Sequence, residues 1–155
     1  MKLTDVLSEE MIKIPLSARD KEGVLAELVE VVAAAKPVTD KTALLKAIKD
    51  REKLMSTGVG KGIAIPHCRS LILSKFTLAV GRFPAGVPFD ALDKKSSHLF
   101  FLVAAPPRDK GNQYLLTLGA IAKVAKDLGK NDKLCTSQTP EEFLARLKEL
   151  EAKGK

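Results

Sequence analysis

His67 is the residue of this chain best placed to do chemistry. It follows Ile65-Pro66 at the end of the apolar stretch GIAIP. Proline fixes its own φ and lacks an N–H, so the backbone entering the histidine is stiff and the imidazole is held in one direction. A positioned neutral imidazole is a nucleophile, and with an ordinary pKa near 6.5 it is mostly unprotonated near pH 7. Cys68 adjoins it, but neighbours on an extended chain point to opposite faces, which argues against a Cys/His nucleophilic pair. His98 opens an apolar run with no glycine or basic cluster beside it and reads as a packing residue. His67, Cys68, His98 and Cys135 show no familiar ligand spacing, so no metal or other cofactor is expected.

The glycines ahead of His67 suggest a phosphate loop, and two such loops can be tested by spacing. A Walker loop needs Gly five residues before its Gly-Lys pair and Ser or Thr after it, but Met55 and Gly62 hold those places. A dinucleotide fingerprint fails too, because GVGKG precedes a strand instead of opening a helix. A turn of Gly58, Gly60 and Gly62 still lets backbone N–H groups approach an anion closely, so these glycines are candidate phosphoryl contacts.

These groups must be carried by regular elements, and the periodicity predicts which. Val24, Leu28, Val31 or Val32 and Ala35 recur at helical spacing over 20–35, with Asp20 as N-cap and Pro37 beyond the end. Leu44, Leu45 and Ile48 mark a second amphipathic helix over 40–53. Arg51 sits in its last turn, where a cation complements the helix dipole. Residues 56–62 read as a loop, and GIAIP as a short strand stopped by Pro66. Segments 76–83 and 98–104 read as strands, the second apolar enough to be buried on both faces. Tyr114, Leu118, Ile121, Ala125 and Leu128 predict a helix over 112–128 with Asn112 as N-cap, and Pro140 opens a last helix over 140–152. Helices around short apolar strands give an α/β sandwich. If the strand ending at Ile65 and the strand ending near Ala104 run parallel, they deliver His67 and the start of the 112–128 helix to one sheet edge, where sites usually form.

The chain of 155 residues is the size of one domain, and 45% apolar with 29% charged residues is ordinary for a soluble globular protein. No stretch is long and apolar enough to span a membrane, no secretory signal opens the sequence, and two cysteines are too few for a disulfide framework. A cytoplasmic protein with reduced thiols and no direct membrane insertion is expected. The net charge of +7 is uneven: residues 41–133 hold seventeen basic and seven acidic side chains, against five and eight in 1–40 and four and four in 134–155. Such a middle suits an acidic or phosphorylated partner. Few aromatics, no zinc spacing and no RNA-binding motif speak against nucleic acid as that partner.

Read together, REKLMSTGVGKGIAIPH over 51–67 resembles the signature of the enzyme IIA domains of the fructose/mannitol class in the bacterial phosphoenolpyruvate-dependent phosphotransferase system, nitrogen-regulatory IIA proteins included. The likeness extends to LTDVLSEEMI at the start, VPFDALDKKSSHLFFLVAAP at 87–106 and LLTLGAIAKVAKDL at 115–128. It implies a mixed sheet of about five strands flanked by helices, a IIA domain over 1–150, and a frayed basic tail over 151–155. It also implies a phosphotransferase component that accepts a phosphoryl group on His67 from the phosphocarrier HPr or its nitrogen-branch counterpart. The onward partner is then a IIB protein or a regulated target, with Arg51 contacting the phosphoryl oxygens. The alternative is a IIA-fold regulatory module with little or no transfer. The family commonly has a second histidine four residues before the leucine aligned with Leu118, and here that place holds Tyr114. A tyrosine hydroxyl can donate a hydrogen bond to a phosphoryl oxygen but cannot carry an imidazolium's charge.

Overall fold

The computed structural model describes residues 2–35, 40–126, 128 and 132–153. Two antiparallel strands, β5 (Thr77–Val87) and β6 (Ser97–Ala105), form its centre. Every residue of β6 except His98 is buried, as its unbroken apolar run requires of a strand covered on both faces. A short β1 (Ile12–Lys13) runs parallel to β5 on the far side. On the other flank β3 (Ile63–Ala64) and β4 (His67–Arg69) share one lane, both parallel to β6, and β2 (Gly58–Gly60) pairs antiparallel with β3. The six strands thus fill five lanes, in the order β1, β5, β6, β3 with β4, β2.

Pro66 divides that shared lane without ending it. It offers no N–H, but its carbonyl accepts from Val103 N at 2.9 Å, and His67 pairs with Val103 as the strand resumes. The sequence-based strand stop at Pro66 is therefore a break of two residues. The parallel pairing with β6 brings His67 to the expected edge.

The helices cover both faces of the sheet. Gly81 lies under the Leu16 side chain, next to α1 (Lys21–Ala35), while its neighbour Arg82 points the other way and donates to Cys135 O and Ser137 O at 2.6 Å each. Val24, Leu28 and Val32 form the buried stripe of α1, and Asp20 caps it by accepting from Gly23 N. Pro37, its proposed terminator, lies outside the described residues. Helix α2 (Lys41–Leu54) is capped by Asp40, which accepts from Ala43 N, and buries Leu44 and Ile48. Over the other face lie α3 (Gln113–Lys126), the short α4 (Lys133–Thr136) and α5 (Pro140–Lys153). Asn112 does not cap α3: it sits at φ 53° after Gly111 at φ 78°, and Asp109 instead accepts from Tyr114 N. Of the tail expected to fray over 151–155, residues 151–153 are helical, with Glu151 accepting hydrogen bonds from Leu3 N, Thr4 N and Thr4 Oγ1, and 154 and 155 lie outside the described residues.

Candidate functional site

His67 opens β4 at the carboxyl edge of the sheet, where the end of α2 and the start of α3 converge. Its Nδ1 lies 2.7 Å from the Ile65 carbonyl and its Nε2 lies 3.2 Å from Arg51 Nη2. A carbonyl only accepts and a guanidinium only donates, so the two contacts together assign the tautomer: Nδ1 carries the proton and Nε2 the lone pair. Arg51 Nη1 also donates to Met55 O at 3.0 Å, the first carbonyl beyond its own helix, which holds the planar fork. The His67 pKa is lowered, chiefly because the ring is partly buried and further by the Arg51 charge, with the Ile65 carbonyl and Glu52 opposing. The ring is therefore kept neutral and nucleophilic at Nε2.

Tyr114, in the first turn of α3, packs its ring edge-on to His67, with centroids 6.1 Å apart and planes at 62°. Three of the residues singled out in the sequence, His67, Arg51 and Tyr114, are thus brought together. Cys68 turns inward, and burial pushes its thiol up to about 11, so it offers no thiolate beside the histidine. His98 is the second residue of β6 and lies at the end of the sheet remote from His67, which pairs with Val103.

The glycine turn is not brought there. Gly58–Gly60 is a strand, and the chain reverses through Lys61 at φ 57° and Gly62 at φ 78°, the pair of positive φ values that a primed two-residue hairpin turn demands. Gly62 O accepts from His98 N and Leu99 N, which pins the hairpin tip to the start of β6. At about 3.3 Å per residue, the five residues from Gly62 to His67 put the tip roughly 16 Å away, at the opposite end of the sheet. Two of the N–H groups are also occupied, Gly58 N by Ser56 Oγ and Lys61 N by Asp93. Gly58, Gly60 and Gly62 therefore shape the hairpin instead of lining the edge that carries His67. The N-terminus of α3 is likewise engaged, by the Asp109 carboxylate.

Two residues of the site escaped the sequence reading. Glu52 is buried and follows Leu44 and Ile48 at spacings of four along the inner stripe of α2, a position that flags a carboxylate with a task. It accepts from Thr57 N at 2.8 Å and from Thr57 Oγ1, and pairs with Lys21 Nζ at 2.7 Å. This ties down the segment that supplies Met55 O to Arg51. Arg69 alternates with His67 on β4 and so shares its face, and its guanidinium lies over the Tyr114 ring, 4.5 Å from the centroid.

A cleft of about 390 Å³ beside Lys21, Lys49, Glu52 and Asp90 does not include His67, Arg51 or Tyr114. Among the described residues, no cluster of three or more His, Cys, Asp or Glu is placed to hold a metal, and no helix is long and apolar enough to cross a membrane. Exposed Met55, Leu71, Leu115 and Leu116 follow Arg51, Arg69 and Tyr114 closely in the chain.

Residues 5–150 match the family model described as the phosphoenolpyruvate-dependent sugar phosphotransferase system, EIIA 2. The chain is 34% identical over 143 residues to the fructose-specific EIIA component of Haloferax volcanii, covering 90% of this chain and 92% of that protein. It is 32% identical over 141 residues to the nitrogen regulatory protein of Pseudomonas aeruginosa, covering 91% of each. It also matches part of the fructose-specific EIIABC component of Bacillus subtilis, 39% identical over 105 residues, which is 68% of this chain and 16% of that protein. Among solved structures it resembles the nitrogen regulatory protein IIA-Ntr of Neisseria meningitidis, with a TM-score of 0.81 at 26% identity over 94% of this chain and 98% of that one. The fold is shared with IIA mannitol of Escherichia coli, with a TM-score of 0.76 at 23% identity over 91% and 98%.

Proposed function

Since the chain belongs to the EIIA 2 family of the phosphoenolpyruvate-dependent sugar phosphotransferase system, we propose that it relays a phosphoryl group from HPr, or its nitrogen-branch counterpart, through His67 Nε2. The observation that carries this reading is the pair of contacts that leaves the lone pair on Nε2 beside a permanent cation. Phosphoryl transfer asks the protein for in-line positioning and neutralisation of the equatorial oxygens, with little covalent work beyond the nucleophile. The Nε2 lone pair attacks phosphorus, the new P–N bond forms, and the donor–phosphorus bond breaks with its electron pair leaving on the donor. Nδ1–H stays against the Ile65 carbonyl, which takes up part of the positive charge developing on the ring. Arg51, displaced from Nε2 by the incoming group, turns its fork onto two phosphoryl oxygens. The Tyr114 hydroxyl donates a further hydrogen bond to one of them.

The exposed apolar side chains of Met55, Leu71, Leu115 and Leu116, close in the chain to the site residues, support docking of a protein donor, and the basic middle of the chain supports its encounter with a phosphorylated one. Onward transfer goes to a IIB protein or ends in a regulated target. One solved relative of the same fold is a complex of IIA mannitol with phosphorylated IIB mannitol, at TM-score 0.77, whereas other relatives carry the name nitrogen regulatory protein. The test is incubation with phosphoenolpyruvate, enzyme I and HPr. An acid-labile gain of one phosphate, mapped to His67, is expected. A folded protein that stays unlabelled would instead leave a IIA-fold interaction module.

A further inference from the structure

Arg69 is the cation at this edge for which the relay reading has no use. Among the described residues none of the ion pairs involves it, although Arg146 is paired with carboxylates and Arg82 is bonded to two carbonyls. It is nevertheless held in place, because the guanidinium carbon lies over the Tyr114 ring, 4.5 Å from its centroid and within the range of cation–π attraction. Tyr114 is buried, so the platform is rigid, and its ring also packs against that of His67 at 62° between planes. On β4 the Cα atoms of His67 and Arg69 are two residues apart on one face, roughly 6.6 Å. Burial and Cys68 raise the Tyr114 pKa while the charges of Arg69 and Arg51 both oppose the rise.

We propose that Arg69, seated on the ring of Tyr114 beside His67, is the second cation of the phosphoryl site, acting together with Arg51. The inference rests on the relay reading above. Histidine at position 114 would bring its own charge. Tyrosine brings none, but its larger ring face can carry an arginine that an imidazole would repel when protonated. Charge neutralisation is thus divided: Arg51 holds the oxygens on the α2 side and Arg69 those on the β4 side, each as a planar donor fork. The ligand is a phosphoryl dianion in transit between two protein nucleophiles.

The test measures single-turnover transfer from preformed phospho-HPr, with the rate at saturating donor separated from the donor concentration at half-saturation. Arg69→Ala is expected to lower the saturated rate at least tenfold, the scale of one charge-assisted hydrogen bond lost from a transition state. Arg69→Lys should recover part of it. In a Tyr114→Ala background, where the platform is gone, Arg69→Ala should cost nothing more; in a Tyr114→Phe background, which keeps the ring, it should cost its full factor. A saturated rate unchanged by Arg69→Ala, a loss confined to half-saturation, or equal costs of Arg69→Ala in the Ala and Phe backgrounds would each overturn the inference. Failure of the parent protein itself to accept phosphate would overturn the relay reading, an outcome distinct from all of these.

Discussion

Arg51 and His67 meet through one contact, Nη2 to Nε2 at 3.2 Å, while the other arm of the same guanidinium is fastened to Met55 O at 3.0 Å. In the proposed relay the arginine would thereby guard the nucleophilic nitrogen before it binds the phosphoryl oxygens. Replacing His67 with Ala should abolish labelling. Arg51→Lys should slow it by about tenfold or more despite the retained charge, because an ammonium cannot hold Met55 O and two oxygens in one plane. Equal single-turnover rates for the parent and Arg51→Lys would show that the fork is only structural.

The lowered His67 pKa gives a signed expectation for pH. Only the neutral ring has a lone pair on Nε2, so acceptance falls as pH drops through the folded-state pKa. Burial and Arg51 place that limb below the ordinary imidazole value of about 6.5, and the rate should be flat between pH 7 and 8. Arg51→Gln should move the limb upward, toward 6.5. Transfer from preformed phospho-HPr across pH, together with an NMR titration of the ring, measures both, and a parent limb at or above 6.5 would contradict the assigned environment.

Tyr114→Phe removes the hydroxyl and keeps the ring. Loss of one hydrogen bond to a charged group costs about 1.5–3 kcal/mol, so the variant should transfer roughly ten- to a hundredfold more slowly. A rate within twofold of the parent would leave the ring, and not the hydroxyl, as the contribution of this residue.

Glu52 offers a stability test away from the nucleophile. Glu52→Ala strands the Lys21 ammonium and the Thr57 N–H, which should cost about 2–3 kcal/mol after allowing for the partial exposure of Lys21. Urea unfolding reads this directly. A loss under about 1 kcal/mol would mean that water replaces the carboxylate at little cost.

At the far end of the sheet, Gly62→Ala should destabilise by about 1–3 kcal/mol, because the residue sits at φ 78° and a Cβ would run into the His98 ring. His98→Gln, at the same end, should keep full labelling of His67. A folded His98→Gln protein that fails to accept phosphate would make His98 part of the relay.

The sequence alone determined what local physics controls. Apolar periodicity placed α1 and α2, the all-apolar run of β6 announced a strand buried on both faces, and the residues of 51–67 singled out His67 with Arg51 through family likeness. Where the local signal was a turn type, the reading went astray. A glycine-rich stretch looks the same in sequence whether its amides face an anion or its φ values close a hairpin, and only the pairing of Gly60 with Ile63 separates the two. Asn112 and Asp109 are both good caps by residue type, and the backbone reversal at Gly111 decided for Asp109.

Tertiary structure alone decided what depends on juxtaposition. Arg69 lies 45 residues from Tyr114 in the chain, and no spacing rule joins a strand residue to a helix start until β4 pairs with β6 and α3 folds back over it. Which nitrogen of His67 carries the lone pair was likewise open in the sequence, since a histidine's tautomer is set by what each ring nitrogen meets. Here one meets a carbonyl and the other a guanidinium, and both partners arrive there only through the fold.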